Sequence, residues 1–250
     1  MYTFKPPTNL KFCMKSLTTL LIAFIFSWNS YADTVSDKEK DALIKFYHAT
    51  NGANWKNKWD LSLSVSTWYG VQTENGKVIG LYLEDNNLKG ELPVAFFDLT
   101  NLVAIDFHKN CLHGKLSPEI GKLKRLEVLS LFDNKIEGDL PGSIYQLSTL
   151  KILLLNNNKL SGTLSSEIIN FHALQNLSLF DNSLEGEIPK ELEKLHNLAE
   201  MNLSYNKFTG SVSKSLALLD PLNMTMLDED GTPFLLEINT EKETTIVTQN

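Results

Sequence analysis

The chain repeats itself every 24 residues. Leu102, Leu126, Leu150, Leu174, Leu198 and Leu222 open successive copies of L-x-x-L-x-L-x-x-N-x-L-x-G-x-L-[PS], and Val78 opens the first copy in the same phase. A unit this short cannot enclose a core of its own. It buries its apolar side only against its neighbours, so the chain must stack into a solenoid. Function then has to be sought on whatever the stack leaves exposed.

Strand alternation assigns the residues within each unit. Positions 1, 4, 6, 11 and 15 point inward, as Leu126, Leu129, Leu131, Ile136 and Leu140 illustrate, while positions 3, 5, 7 and 8 face solvent. Position 9 is Asn in all six units from Asn86 to Asn206, an inward amide ladder able to satisfy loop backbone groups that no strand reaches. Position 13 is Gly from Gly90 to Gly210, where the chain turns. The unit from Leu222 breaks the pattern with Thr225, Asp230 and Phe234, and reads as a closing cap.

A second period lies over the first. Position 16 alternates Pro93, Ser117, Pro141, Ser165, Pro189, Ser213, and position 8 carries Asp85, Asp133 and Asp181 in odd units against Lys109, Asn157 and Tyr205 in even ones. The hexapeptide LSLFDN recurs 48 residues apart, as if a two-repeat block had been duplicated.

The repeats LEVLSLFDNKIEGDLPGSIYQLST (126 to 149) and LQNLSLFDNSLEGEIPKELEKLHN (174 to 197) resemble the plant-type subclass of the leucine-rich repeat family, in which G-x-[LI]-P follows the asparagine. The segment Ser66 to Thr73 followed by GKVIGLYLEDN is similar to the cap that precedes such repeats in plant receptors and inhibitors, with Ser66 and Thr73 where that cap usually has cysteine. LIKFYHATNGANWKNKWD also resembles the caps of secreted or surface repeat proteins from bacteria and protists. The resemblance runs from residue 36 to residue 221. It implies an α/β solenoid, a leucine-rich repeat horseshoe with a parallel concave sheet, a 3-10 or irregular convex side and an N-terminal helical cap. It implies no single function, because this fold serves many partners.

The predicted organisation is a signal peptide over 1–32, an N-terminal cap over 33–77, six repeats over 78–221 and a degenerate closing repeat over 222–250. Met14 begins a segment with Lys15, an apolar run from Leu17 to Trp28 and small residues Ser30 and Ala32, the plan of a cleaved secretory signal. Ser36 and Glu39 form a capping box before a helix bearing Leu43, Phe46 and Tyr47 on one face. Trp55, Trp59 and Trp68 are expected to cover the open edge of the first repeat.

The formal charge of −7 becomes more negative on cleavage, since Lys5, Lys11 and Lys15 precede the cleavage point and no acid does. That excludes a nucleic-acid partner on electrostatic grounds. Nothing after the signal is apolar enough to span a membrane. Cys111 becomes the sole cysteine, so no internal disulfide holds the fold. The expected location is secreted, periplasmic or cell surface. Asn176, Asn202 and Asn223 open glycan acceptor patterns, the first two on strands where a glycan would obstruct binding.

The candidate binding residues are those predicted to face outward on the strands. They are Tyr82, Glu84 and Asp85 in unit one, Asp106 and His108 in unit two, Phe132 and Asp133 in unit three, Leu154 and Asn156 in unit four, Phe180 and Asp181 in unit five, and Tyr205 in unit six. Aromatics beside carboxylates on a solvated sheet suit a protein or peptide with basic and apolar groups, with a glycan as the other candidate. Phe132 and Phe180 are expected to be exposed in equivalent places. No catalytic residue, cofactor or metal site is assigned, although Glu84, Asp106 and His108 are placed to converge as a hydrolase or metal site would require. The function expected is non-enzymatic recognition outside the cytoplasm, with inhibition of a secreted enzyme as the alternative.

Overall fold

The computed structural model describes residues 34–222 and 224–239. The signal peptide expected over 1–32 therefore lies outside the described residues. Helix α1 (Asp37–Ala49) begins where the Ser36 hydroxyl accepts the Glu39 N–H at 3.3 Å, the first half of a capping box, and donates to the Glu39 carboxylate at 3.0 Å, so Glu39 reaches back to the Ser36 side chain and not to its backbone. It buries Leu43, Phe46 and Tyr47 against the first repeat. Trp55, Trp59 and Trp68 are all at least 96% buried and pack in series with centroid spacings of 4.9 and 4.8 Å. Their surface is spent on core, as expected of a cap.

The concave sheet has seven strands. β1 (Val71–Glu74) and β2 (Lys77–Tyr82) form an antiparallel hairpin. Then β3 (Ala104–Asp106), β4 (Val128–Ser130), β5 (Ile152–Leu154), β6 (Asn176–Ser178) and β7 (Glu200–Asn202) add in parallel, in register at the 24-residue period. Each of these five strands is only three residues long, positions 3 to 5 of its unit.

Position 8 is not strand. Asp85, Lys109, Asp133, Asn157, Asp181 and Tyr205 all have φ between 46° and 61°, the left-handed region where the chain turns off the sheet. Asp and Asn tolerate this conformation better than other non-glycine residues, so the acids at this position have a backbone reason to be there. Lys109 and Tyr205 have no such excuse and hold the same turn at some strain.

Just inside that turn lies the amide ladder. Asn134 Oδ1 accepts from the Leu112 N–H at 2.9 Å, and its Nδ2 donates to the carbonyls of Phe107, Leu131 and Phe132 at 2.9, 3.0 and 3.3 Å. Asn110, Asn158, Asn182 and Asn206 repeat these bonds to the preceding unit. Beyond it, position 13 requires glycine: a Cβ on Gly90, at φ 144°, would stand 1.9 Å from the Ala49 carbonyl oxygen.

The convex side is a row of 3-10 turns, Val94–Asp98, Pro118–Lys122, Gly142–Gln146, Ser166–Asn170 and Lys190–Lys194. Here the alternation at position 16 finds its physical sense. Ser117 and Ser165 cap their turns by accepting from the Glu119 and Glu167 N–H groups, whereas Pro93, Pro141 and Pro189 enter theirs with a ring-fixed φ between −61° and −71°. Two chemistries perform one task.

The far end is closed by features the repeat pattern does not carry. Inside the stack, the N–H of position 6 donates to the next strand, as Leu131 does to the Leu154 carbonyl at 2.9 Å. β7 has no next repeat strand. Instead the 98%-buried carboxylate of Asp220 accepts from the N–H groups of Leu203 and Ser204 and from the Ser204 hydroxyl, at 2.8, 3.1 and 2.9 Å. Thr225–Leu227 then pairs antiparallel with Pro233–Leu235, leaving Phe234 and Leu235 exposed.

Candidate functional site

The outward rows of the concave sheet carry the candidate site. Position 5 reads Tyr82, Asp106, Ser130, Leu154, Ser178, Asn202 in register, and position 3 reads Gly80, Ala104, Val128, Ile152, Asn176, Glu200. Val128, Ile152 and Leu154 are all half-buried and lie on adjoining strands, so units three and four present an apolar strip to solvent. Val128 and Ile152 are missing from the sequence-predicted set. Their signal was present, since position 3 has the same parity as position 5.

Of the twelve predicted residues, four form one connected group. Asp106 Oδ1 accepts from the Ser130 hydroxyl at 2.8 Å and meets His108 Nδ1 at 2.7 Å. The imidazole stacks on Phe132 with centroids 4.3 Å apart and planes at 11°. Tyr82, beside Asp106 in register, has its phenol pKa raised by burial first and by the Asp106 charge second.

This arrangement corrects the expectation for Phe132. The ring is 93% buried, because His108 covers it. Phe180 is half-buried and tilts instead toward Tyr205, with centroids 5.2 Å apart. The two phenylalanines share a repeat position but not an environment. Sequence parity gives the face a side chain leaves from, and its neighbour on the next strand decides what remains exposed.

The carboxylates also divide. Asp85 is drawn to Lys56 at 2.6 Å, and that hydrogen bond is the main reason its pKa lies below the ordinary value. Asp133 accepts from the Asn157 amide and has no cationic partner among the described residues. Asp181 is exposed, likewise without a cation among the described residues, and its pKa is raised by desolvation first and by the Asp133 charge second. Asn156 is half-buried between these acids' strands, and Glu84 is half-buried on the first unit.

Glu84 does not complete a cluster with Asp106 and His108. Among the described residues no three histidine, cysteine or acidic side chains come together as a metal-binding group. Nor does the Ser130 hydroxyl donate to the imidazole: it donates to the Asp106 carboxylate, so the three side chains run serine to aspartate to histidine and not in the serine–histidine–acid order of a nucleophilic triad. Asn176, the first of the glycan acceptor patterns, donates its amide to Glu200 on the next strand. Among the described residues no helix is long and apolar enough to cross a membrane.

A sequence profile of the leucine-rich repeat region matches residues 107–224. Polygalacturonase inhibitor 2 of Arabidopsis thaliana is 30% identical over 121 residues, which is 46% of this chain and 37% of that protein. MDIS1-interacting receptor like kinase 2, from the same plant, is 31% identical over 121 residues, covering 45% of this chain and 12% of that one. The chain thus spans little more than a third, or less, of the curated relatives it matches. Among solved structures, the ectodomain of the Arabidopsis receptor kinase SOBIR1 aligns with a TM-score of 0.62 at 27% identity, over 71% of this chain and 99% of that one. The ectodomain of the Arabidopsis receptor kinase HAESA, in complex with an extended IDA peptide hormone, aligns with a TM-score of 0.65 at 26% identity, over 81% of this chain and 33% of that one.

Proposed function

We propose, for a chain that belongs to the plant-type leucine-rich repeat family, that it is an exported, non-enzymatic recognition module whose concave face holds an extended peptide or protein segment. The observation that carries this reading is the apolar strip Val128, Ile152, Leu154 on the strands of units three and four, together with two carboxylates, Asp133 and Asp181, at the turns that follow the strands of units three and five and without a cation among the described residues. A solvated sheet gains nothing from such a strip, and a partner with an apolar side chain next to a basic one would cover the first and neutralise the second. Strands lie about 4.8 Å apart, so units three to five span roughly 10 Å, the reach of three or four extended residues. The HAESA ectodomain, solved with an IDA peptide hormone, supports this use of the fold. The plan of residues 14 to 32 supports export.

Panning the purified chain against a displayed library of randomised heptapeptides tests the proposal. Recovered sequences should pair an apolar residue with Lys or Arg, and raising the salt should slow their association. Recovery of no peptide above background, or of peptides whose binding is unaffected by Leu154→Lys, would contradict it. A second reading, inhibition of a secreted enzyme, is favoured by the likeness to polygalacturonase inhibitor 2. It differs in its readout: the chain should then lower the turnover of a polygalacturonase in direct assay.

A further inference from the structure

His108 is held more firmly than a binding-face histidine needs to be merely to stay folded. Its Nδ1 meets Asp106 Oδ1 at 2.7 Å, its own backbone N–H reaches the same oxygen at 3.3 Å, and the Ser130 hydroxyl holds that oxygen from the next strand at 2.8 Å. Phe132 fixes the plane of the ring from one side. The side chains of His108 and Asp106 are 13% and 17% exposed, so the pair is shielded yet reaches the concave surface. His108 Nε2 has no hydrogen-bond partner among the described residues, and it is not a sealed atom either, since the one buried side-chain nitrogen or oxygen without a partner there is Trp68 Nε1.

An ionised carboxylate only accepts, so the proton of the neutral imidazole must sit on Nδ1. Nε2 then offers a lone pair toward the face. We propose that His108 is a specificity-determining acceptor in the concave site: Nε2 takes a hydrogen bond from an N–H or O–H donor of the bound peptide, with Asp106 and Ser130 as the residues that position it. This rests on concave-face recognition by the chain. Asp106 and Ser130 act only through the imidazole. The fixed tautomer selects a donor over an acceptor at the second unit, next to the strip that takes the apolar group.

Two measurements test this, one without a ligand. Imidazole nitrogen NMR of the uniformly ¹⁵N-labelled chain at pH 7.5 should show the His108 proton on Nδ1 and a bare Nε2; a protonated Nε2 in the neutral ring overturns the proposal. Heptapeptides recovered from the displayed library at pH 7.5 supply the second. His108→Phe keeps a ring against Phe132 but removes the acceptor, and should weaken binding by about tenfold, the worth of one hydrogen bond left unmade. His108→Gln retains an acceptor and should largely restore affinity. Should His108→Phe not fold, the NMR result still decides. Peptides that are blocked by Leu154→Lys yet bind His108→Phe as tightly as the parent overturn this proposal alone. Failure to recover any peptide overturns the concave-face reading, and this inference with it.

Discussion

Asp181 shows how stability and recognition pull against each other at a single residue. Its pKa is raised by desolvation first and by Asp133 second, so the folded chain holds the proton more tightly than the unfolded chain does. The charge therefore opposes folding at neutral pH, and that opposition is relieved as the pH falls through the folded-state value. Asp181→Asn should raise the melting temperature slightly at pH 7, with the gain vanishing in acid, because the exposed site keeps the effect small. Thermal melts across pH 3 to 7 check this, and the same variant should bind a basic peptide less well. Phe132 carries the opposite lesson. Its outward parity was legible, but its burial under His108 was not, since ring stacking depends on rotamers that no repeat position specifies. Phe132→Ala should cost about 3 kcal/mol of stability in denaturant titration, as for a buried ring rather than an exposed contact.

At the scale of elements, the repeat supplies its own partners everywhere except at its ends. Each asparagine rung satisfies backbone groups of its own unit and of the one before, so the ladder holds the turns as well as joining the units. The last strand has no successor, and Asp220 replaces the missing carbonyls. Removing it leaves the buried Leu203 N–H without an acceptor, at about 1 to 3 kcal/mol for the orphaned group, while the Ser204 N–H keeps the Asn202 Oδ1 at 3.1 Å. Asp220→Ala should accordingly lower the unfolding midpoint in urea and speed amide exchange in Glu200–Asn202 before it does so in Ile152–Leu154. Sequence periodicity located the inward leucines and the Asn and Gly ladders because they recur. Asp220 recurs nowhere, and so no pattern marked it. Position 8 faces outward against strand parity, which would turn it inward with positions 4 and 6, because the backbone turns left-handed there and leaves the sheet.

For the whole molecule, stacking explains why the chain folds with one free, half-buried cysteine among the described residues. Stacking also aligns the strands in register, so residues 24 apart in sequence become neighbours on one face, and Val128, Ile152 and Leu154 gather into a strip that none of their own units contains. That strip, with Asp133 and Asp181 at the turns after the strands of units three and five, is the centre of the account. Leu154 lies between Ser130 and Ser178 in register, so a longer polar side chain there can extend into solvent without disturbing the core. The direct measurement is calorimetric titration of one recovered peptide into the parent and into Leu154→Lys, with melts run on both. The account predicts unchanged melting and at least about tenfold weaker binding, from lost apolar cover and added charge of the wrong sign. Equal affinity in a folded Leu154→Lys chain would place recognition elsewhere on the molecule and contradict the concave site.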